Sequence, residues 1–267
     1  MDPKIFNRFR ELVYAKSGIT LGPHKAPLVS ARVARRMRAL SISSHDDYLD
    51  LILQDDSGEE LIHFLDAIST NVTSFYREPD HFEFLAEALQ RWQKEGQTRF
   101  RIWCAAASTG EEPYTLAMTA METLGPTLRD FRILATDIST RVLQKCLDGT
   151  YLQSKVQGIP PALLSRYFSR YNDDAEICYS ANNDLRKIIT FKRLNLATPP
   201  YPMKGPMDVI FCRNVMIYFD EGLRKSLAQE AKRLLKPGGY FIVGHSESLV
   251  GSAREFRVIR PSVYQKP

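Results

Sequence analysis

The residues best suited to chemistry lie at 100–113, FRIWCAAASTGEEP, where an apolar run gives way to small residues and then to two acids. Strand, close-approach turn and helix start, in that order, are what doubly wound sheets use to hold a nucleotide at their carboxyl edge. The small residues at 105–110, Ala106 among them, let the backbone come near a ligand, and Pro113 suits a first helical turn. The glycines of a G-x-G-x-x-G dinucleotide turn are missing. Glu111 and Glu112 stand where a pyrophosphate needs an uncluttered helix N-terminus, so they oppose an anion and favour a cationic ligand. S-adenosylmethionine has a sulfonium, an amino group and no phosphate, and meets that condition better than NAD. Capping of the helix by its own acids accounts for the same pair equally well.

Other strand ends add polar groups. Asp137 closes the next apolar run about twenty-five residues later, where α/β nucleotide-binding folds set an acid against ribose hydroxyls. Asn195 and Leu196 end a third run, an amide and an apolar side chain able to bracket an adenine ring; a loop Asn and a core Leu are the ordinary alternative. Arg213 and Asn214 end a fourth, inside DVIFCRNVMIYF, and an arginine in that apolar setting needs a partner or a ligand. Cys104, Cys146, Cys178 and Cys212 make no C-x-x-C, and the five histidines make no H-x-x-x-H, so reduced thiols and no metal site are expected. GHSES at 244–248 nearly matches the G-x-S-x-G elbow of serine hydrolases. It lacks the last glycine, and no histidine follows His245, which counts against Ser246 as a nucleophile.

These positions need a frame. The chain has 267 residues, 44% hydrophobic and 25% charged, enough for one large and one small domain. No stretch approaches the roughly 20 apolar residues of a membrane span, and the first residues lack a secretory signal's apolar core, so a cytoplasmic protein is expected. Ile5, Phe6, Phe9, Leu12 and Val13 recur at helical spacing up to a stop at Ser17-Gly18. A second helix is expected from about 27 to 40, with Val29, Val33, Met37 and Leu40 on one face and Lys25, Arg32 and Arg36, Arg35 close by, on the next. Similar patterns at 46–53 and 59–68 complete an all-helical segment of about seventy residues.

From Phe100 short apolar runs alternate with amphipathic helices, the pattern of a mostly parallel sheet. The helix carrying Leu223, Leu227, Ala231, Leu234 and Leu235 is expected to end at Pro237-Gly238-Gly239. Between 149 and 190 the alternation lapses into an insertion: a helical piece, PPALLSRYF, and a hairpin over EICYSANNDLRKIITF with Asn182-Asn183 as its turn. FRVIRPSVYQKP makes a last strand pair. The fold class is α/β: a doubly wound, mostly parallel sheet with a small all-helical N-terminal domain and a small antiparallel β insertion.

With its motifs assembled the sequence resembles the CheR family of chemotaxis receptor methyltransferases. They are TNVTSFYRE at 70–78, WCAAASTGEEPY at 103–114, ATDI at 135–138, FCRNVMIYF at 211–219 and LLKPGGYFIVGHSE at 234–247. The resemblance implies a receptor-recognising helical domain over 1–69, a linker over 70–82, and a class I S-adenosylmethionine-dependent methyltransferase domain over 83–267 with its β insertion at about 150–190. It implies a protein-glutamate O-methyltransferase acting on the cytoplasmic helices of chemoreceptors and releasing S-adenosylhomocysteine. Carried over by motif, Asn71, Thr73 and Arg77 reach the cofactor from the linker, and Ala106, Glu112, Asp137, Asn195, Leu196, Arg213 and Asn214 from the sheet; Arg77 and Tyr218 lie near the methyl group. The partners expected are chemoreceptors at their arrays and a regulatory protein, with no nucleic acid, no membrane insertion and a monomeric chain.

The chemistry then needs no base, because a glutamate, with a reference pKa near 4.3, is already the attacking anion at neutral pH. Arg77 is expected to orient that carboxylate and Tyr218 to donate a hydrogen bond. Arg32, Arg35 and Arg36 would meet a glutamate-rich receptor helix. The insertion of some relatives docks a receptor peptide through a Gly-rich loop longer than RYNDDAEICY at 170–179, so such docking is not expected here. A nucleic-acid methyltransferase fits the sequence pI near 9.0, but the [D/N]-P-P-[Y/F] motif of amino-group enzymes is replaced at the fourth strand by RNVM.

Overall fold

A computed structural model describes residues 1–125, 130–173, 176–249 and 255–267. The Asp2 carboxylate accepts from the Lys4 amide at 2.7 Å and Gly18, at φ 70°, closes the first helix, so α1 is Pro3–Ser17. With α2 (Ala26–Ala39), α3 (His45–Gln54) and α4 (Glu59–Ile68) it buries Phe9, Val33, Tyr48 and Phe64 in a cluster of their own. The linker then runs into α5 (Asp80–Lys94).

Beyond it strands and helices alternate: β1 (Arg99–Cys104), α6 (Glu111–Leu124), β2 (Asp130–Asp137) and α7 (Thr140–Asp148). The insertion follows as β3 (Thr150–Leu152), α8 (Pro161–Tyr167), β4 (Phe168–Asp173) and β5 (Glu176–Ala181), and α9 (Asn183–Lys187) leads back to β6 (Ile189–Arg193). The chain finishes with β7 (Met207–Cys212), α10 (Glu221–Leu234), β8 (Leu235–Val243), β9 (Arg257–Arg260) and β10 (Val263–Gln265).

Seven strands form one sheet in the order β6-β2-β1-β7-β8-β10-β9, parallel from β6 to β8 and closed by the antiparallel β10 and β9. All six residues of β7 are buried, as a strand covered on both faces requires. Leu85, Leu89 and Leu116 of α5 and α6 pack on one face against Ile102, Phe131 and Val209. Leu227, Ala231 and Leu234 of α10 pack on the other against Trp103, Ile210 and Phe241. Each such side chain contributes about 1.5–3 kcal/mol on burial. Winding reverses between β1 and β7, which opens a crevice at their carboxyl ends.

Two local expectations are corrected. The hairpin of the insertion joins β4 to β5, from Phe168 opposite Ala181 out to Asp173 opposite Glu176. Asn182-Asn183 is no turn: the Asn182 side chain accepts from the Leu185 amide at 3.2 Å and starts α9. Asparagine serves turns and N-caps through the same short side-chain acceptor, and here the cap wins. The tip of RYNDDAEICY, at 174–175, lies outside the described residues. Pro237-Gly238-Gly239 belongs to β8, because α10 already stops at Leu234.

Candidate active site

The turn after β1 is held from both sides. The Ala105 amide donates to the Phe211 oxygen of β7 and the Ala107 amide to the Thr136 oxygen of β2, each at 2.8 Å. Gly110, at φ 100°, precedes α6, and a Cβ there would lie 2.5 Å from the Tyr151 hydroxyl. Only glycine fits that approach. The Ser108 amide donates to the Asp137 carboxylate at 2.9 Å, and the Ser139 amide donates to it at 3.0 Å. Burial, outweighing these bonds, pushes the Asp137 carboxyl up to about 6.

Asn214, just beyond β7, adopts φ 58°, and its amide donates to Glu247 at 2.8 Å while its side chain donates to Glu78 at 3.1 Å. Arg213, its side chain 1% exposed, donates to Glu112 at 2.9 Å, to Glu78 at 3.1 Å and to the Arg77 main-chain oxygen. The Phe82 ring lies 5.3 Å from the guanidinium. The two acids respond differently. Burial raises Glu112 despite Arg213, whereas bonds from Asn214 and Arg213 outweigh burial and hold Glu78 low.

The linker crosses above. Phe75 packs edge-on against Tyr151 at 4.9 Å and Phe168 at 5.8 Å, and Arg77 donates to the Val72 oxygen at 2.9 Å. Of the six non-glycine residues with positive φ among those described, Tyr76, Glu78, Ser108 and Asn214 surround this crevice. Strain of this kind, about 1–3 kcal/mol per residue, gathers where a site over-determines its backbone.

Asn71, Thr73, Arg77, Ala106, Glu112, Asp137, Arg213, Asn214 and Tyr218 all line one cavity, which Lys25 and Arg32 reach from α2 and its lead-in. Asn195 and Leu196 line an adjoining cleft that shares Ala106, Asp137 and Tyr218. The Asn195 side chain donates to the Lys16 oxygen at 2.8 Å, so it also ties α1 to the sheet edge. Glu78 and Glu247, which hold Arg213 and the strand-end turns, were not singled out by sequence reasoning. Their signal was the acid closing TNVTSFYRE and GHSE.

The basic helix divides. Arg35 is exposed beside a groove shared with Arg141. Arg36 instead pairs with the buried Glu60 at 2.6 Å, and Tyr48 donates to the same carboxylate at 2.7 Å. Burial raises Glu60, but the bonds from Arg36 and Tyr48 together hold it below its ordinary range. Arg32 donates to the main-chain oxygens of Ile68, and of Ser69 at 3.1 Å, at the end of α4. The expected trio of outward arginines is therefore corrected: Arg32 and Arg36 have acceptors inside the molecule, and Arg35 alone of the three is exposed.

The crevice suits S-adenosylmethionine on its own chemistry. It offers a close backbone turn, a strand-end acid and the buried Ser108 hydroxyl, which has no partner among the described residues. Glu112 does not offer the free charge its position suggested, since Arg213 answers it. Among the described residues no helix is long and apolar enough to cross a membrane.

Residues 71–264 match the family model described as "CheR methyltransferase, SAM binding domain", and residues 4–69 match "CheR methyltransferase, all-alpha domain". The chain is 38% identical over 259 residues to a chemotaxis protein methyltransferase of Escherichia coli (strain K12), covering 97% of this chain and 89% of that one. It is 39% identical to the one from Salmonella typhimurium, covering 97% and 88%. Identity to chemotaxis protein methyltransferase 2 of Pseudomonas aeruginosa is 38%, covering 97% and 91%.

Proposed function

This chain belongs to the CheR methyltransferase family and carries its S-adenosylmethionine-binding domain, and from that premise we propose that it methylates glutamate side chains of chemoreceptors in chemotaxis. The observation that carries the reading is the convergence of linker residues Asn71, Thr73 and Arg77 with strand-end residues Ala106, Asp137, Asn214 and Tyr218 on one cavity that α2 borders. When bound there, S-adenosylmethionine supplies a sulfonium methyl group, which a carboxylate oxygen takes up to give a methyl ester and S-adenosylhomocysteine.

The protein's own part is positioning and exclusion of water. Asp137 accepts the ribose hydroxyls at the end of β2, and Asn71 and Thr73 hold the cofactor from above. Asn195 and Leu196 bracket the adenine in the adjoining cleft. Arg77, fixed by its bond to Val72, turns its remaining donors to the substrate carboxylate. The Tyr218 hydroxyl, without a hydrogen-bond partner among the described residues, donates beside it. Arg213 acts behind them: it joins α6, the linker and β7 into one wall. No proton has to be removed, since the acceptor is an anion throughout.

The division of labour proposed is receptor recognition by residues 1–69, a linker over 70–82 shared with the cofactor site, and catalysis by 83–267. The shortness of RYNDDAEICY at 170–179, which lacks the longer Gly-rich loop of relatives that dock a receptor peptide there, supports an enzyme that acts on receptors without such docking. Transfer of tritium from labelled S-adenosylmethionine to receptor-containing membranes, released by alkali as methanol, is the test. Alkali-stable label, as in a methylamine, would refute the ester.

A further inference from the structure

His81 opens α5 and is completely buried, yet both of its ring nitrogens lack a hydrogen-bond partner among the described residues. A buried ring left without partners is unfavourable. Around it stand three other side chains. The Glu78 carboxylate is 3.5 Å from Nδ1, the Asp80 carboxylate is 4.0 Å from Nε2, and the His245 ring stacks edge-on with centroids 4.8 Å apart. His245, from the loop after β8, has its Nε2 3.1 Å from the Asp80 carboxylate.

We propose that His81, His245 and Glu78 bind one zinc ion, with Asp80 holding the His245 ring in place. One donor atom from each of the three lies within 4.8 Å of the others, and tetrahedral bonds of roughly 2.0–2.2 Å to a common ion would draw these atoms in to about 3.4 Å from one another. Two imidazoles and a carboxylate, with no thiolate, form a donor set for zinc or ferrous iron rather than for calcium or cuprous copper, and zinc needs no redox partner to stay bound. The carboxylate behind His245 is the outer partner that zinc-bound histidines ordinarily have.

Charge agrees. Glu78, Asp80, Glu112 and Glu247 outnumber Arg77, Arg213 and Arg260 in this neighbourhood, an acidic excess that favours a cation. Asp80 and His245 are half exposed, which gives an ion a path from solvent. The ion would fasten the start of α5 to the loop after β8, directly over the Glu78 that Arg213 and Asn214 grip.

The full chain, stripped with a chelator, is titrated with zinc by calorimetry and with cobalt by visible absorption. One ion per chain is expected, with cobalt bands of nitrogen and oxygen ligation. His245→Ala removes a half-exposed ring and should lower the zinc affinity at least about tenfold, since even the carboxylate behind such a ring contributes roughly 10–100-fold; Asp80→Asn should lower it no more than His245→Ala does. His81→Gln should match His245→Ala if it folds. Absence of stoichiometric binding by the unaltered chain, or a fall smaller than tenfold in His245→Ala, overturns the proposal, because the ion would then rest on other histidines or on none.

Discussion

Arg213 and Glu112 face one another 2.9 Å apart beneath the cavity, the arginine side chain only 1% exposed. Removing one partner of such a pair strands the other in a poorly solvated place. Arg213→Ala strands Glu112 and leaves Glu78 only the Asn214 side chain and the His245 amide, and denaturant unfolding is expected to show a loss of about 3–5 kcal/mol. A loss below about 1 kcal/mol would mean that the linker does not depend on this contact.

Arg77 differs, being 38% exposed at the cavity with a single main-chain acceptor. Arg77→Ala is expected to lower turnover about 100-fold through misalignment of the acceptor, with little change in folding stability. Binding of S-adenosylhomocysteine and single-turnover rate are measured separately; unchanged turnover removes Arg77 from the mechanism.

Asp137 sets a pH limit. Its carboxyl, pushed up to about 6, takes on a proton in the free protein as pH falls through that value. The protonated form is a weaker acceptor for ribose hydroxyls than the anion, so binding favours the ionised group. Affinity for S-adenosylhomocysteine is expected to fall about five- to tenfold between pH 7.5 and 5, and Asp137→Asn should flatten that profile while binding weakly throughout. An unaltered slope in the variant assigns the titration elsewhere.

The two neighbouring arginines of α2 separate recognition from stability. Arg35→Glu, on an exposed side chain, should raise the apparent KM for receptor about tenfold and leave unfolding unchanged. Arg36→Ala exposes the consequence of stranding Glu60, a loss of about 2–4 kcal/mol. Equal stability of the two variants would contradict the assignment of Arg36 to the interior.

Much of this architecture was legible because it is local. Short apolar runs alternating with amphipathic helices located β1, β2, β7 and β8, and Gly18 marked the end of α1. What escaped depends on residues far apart in sequence. Arg36 looked outward on a helical wheel, yet its partner lies twenty-four residues on, where no periodicity links the two. The rule that seeks histidines one turn apart cannot register His81 beside His245, which β8 and α5 bring together. Glu112 was read from its helix position as a free acid, while Arg213 came from a strand a hundred and one residues later. The misplaced hairpin has another origin: one residue type, Asn182, carries two local meanings that only the pairing of β4 with β5 resolves.

Phe75 is pinned by the rings of Tyr151 and Phe168, and Glu78 by Arg213 and Asn214. Between these anchors the chain has only Tyr76 and Arg77, and Tyr76 is already in a left-handed conformation. The stretch therefore behaves as a ruler with no slack. Adding or deleting one residue there would rotate Arg77 out of the cavity or pull an anchor from its seat, whereas the same change at an exposed loop would be absorbed. Length, as much as residue identity, is what this segment encodes.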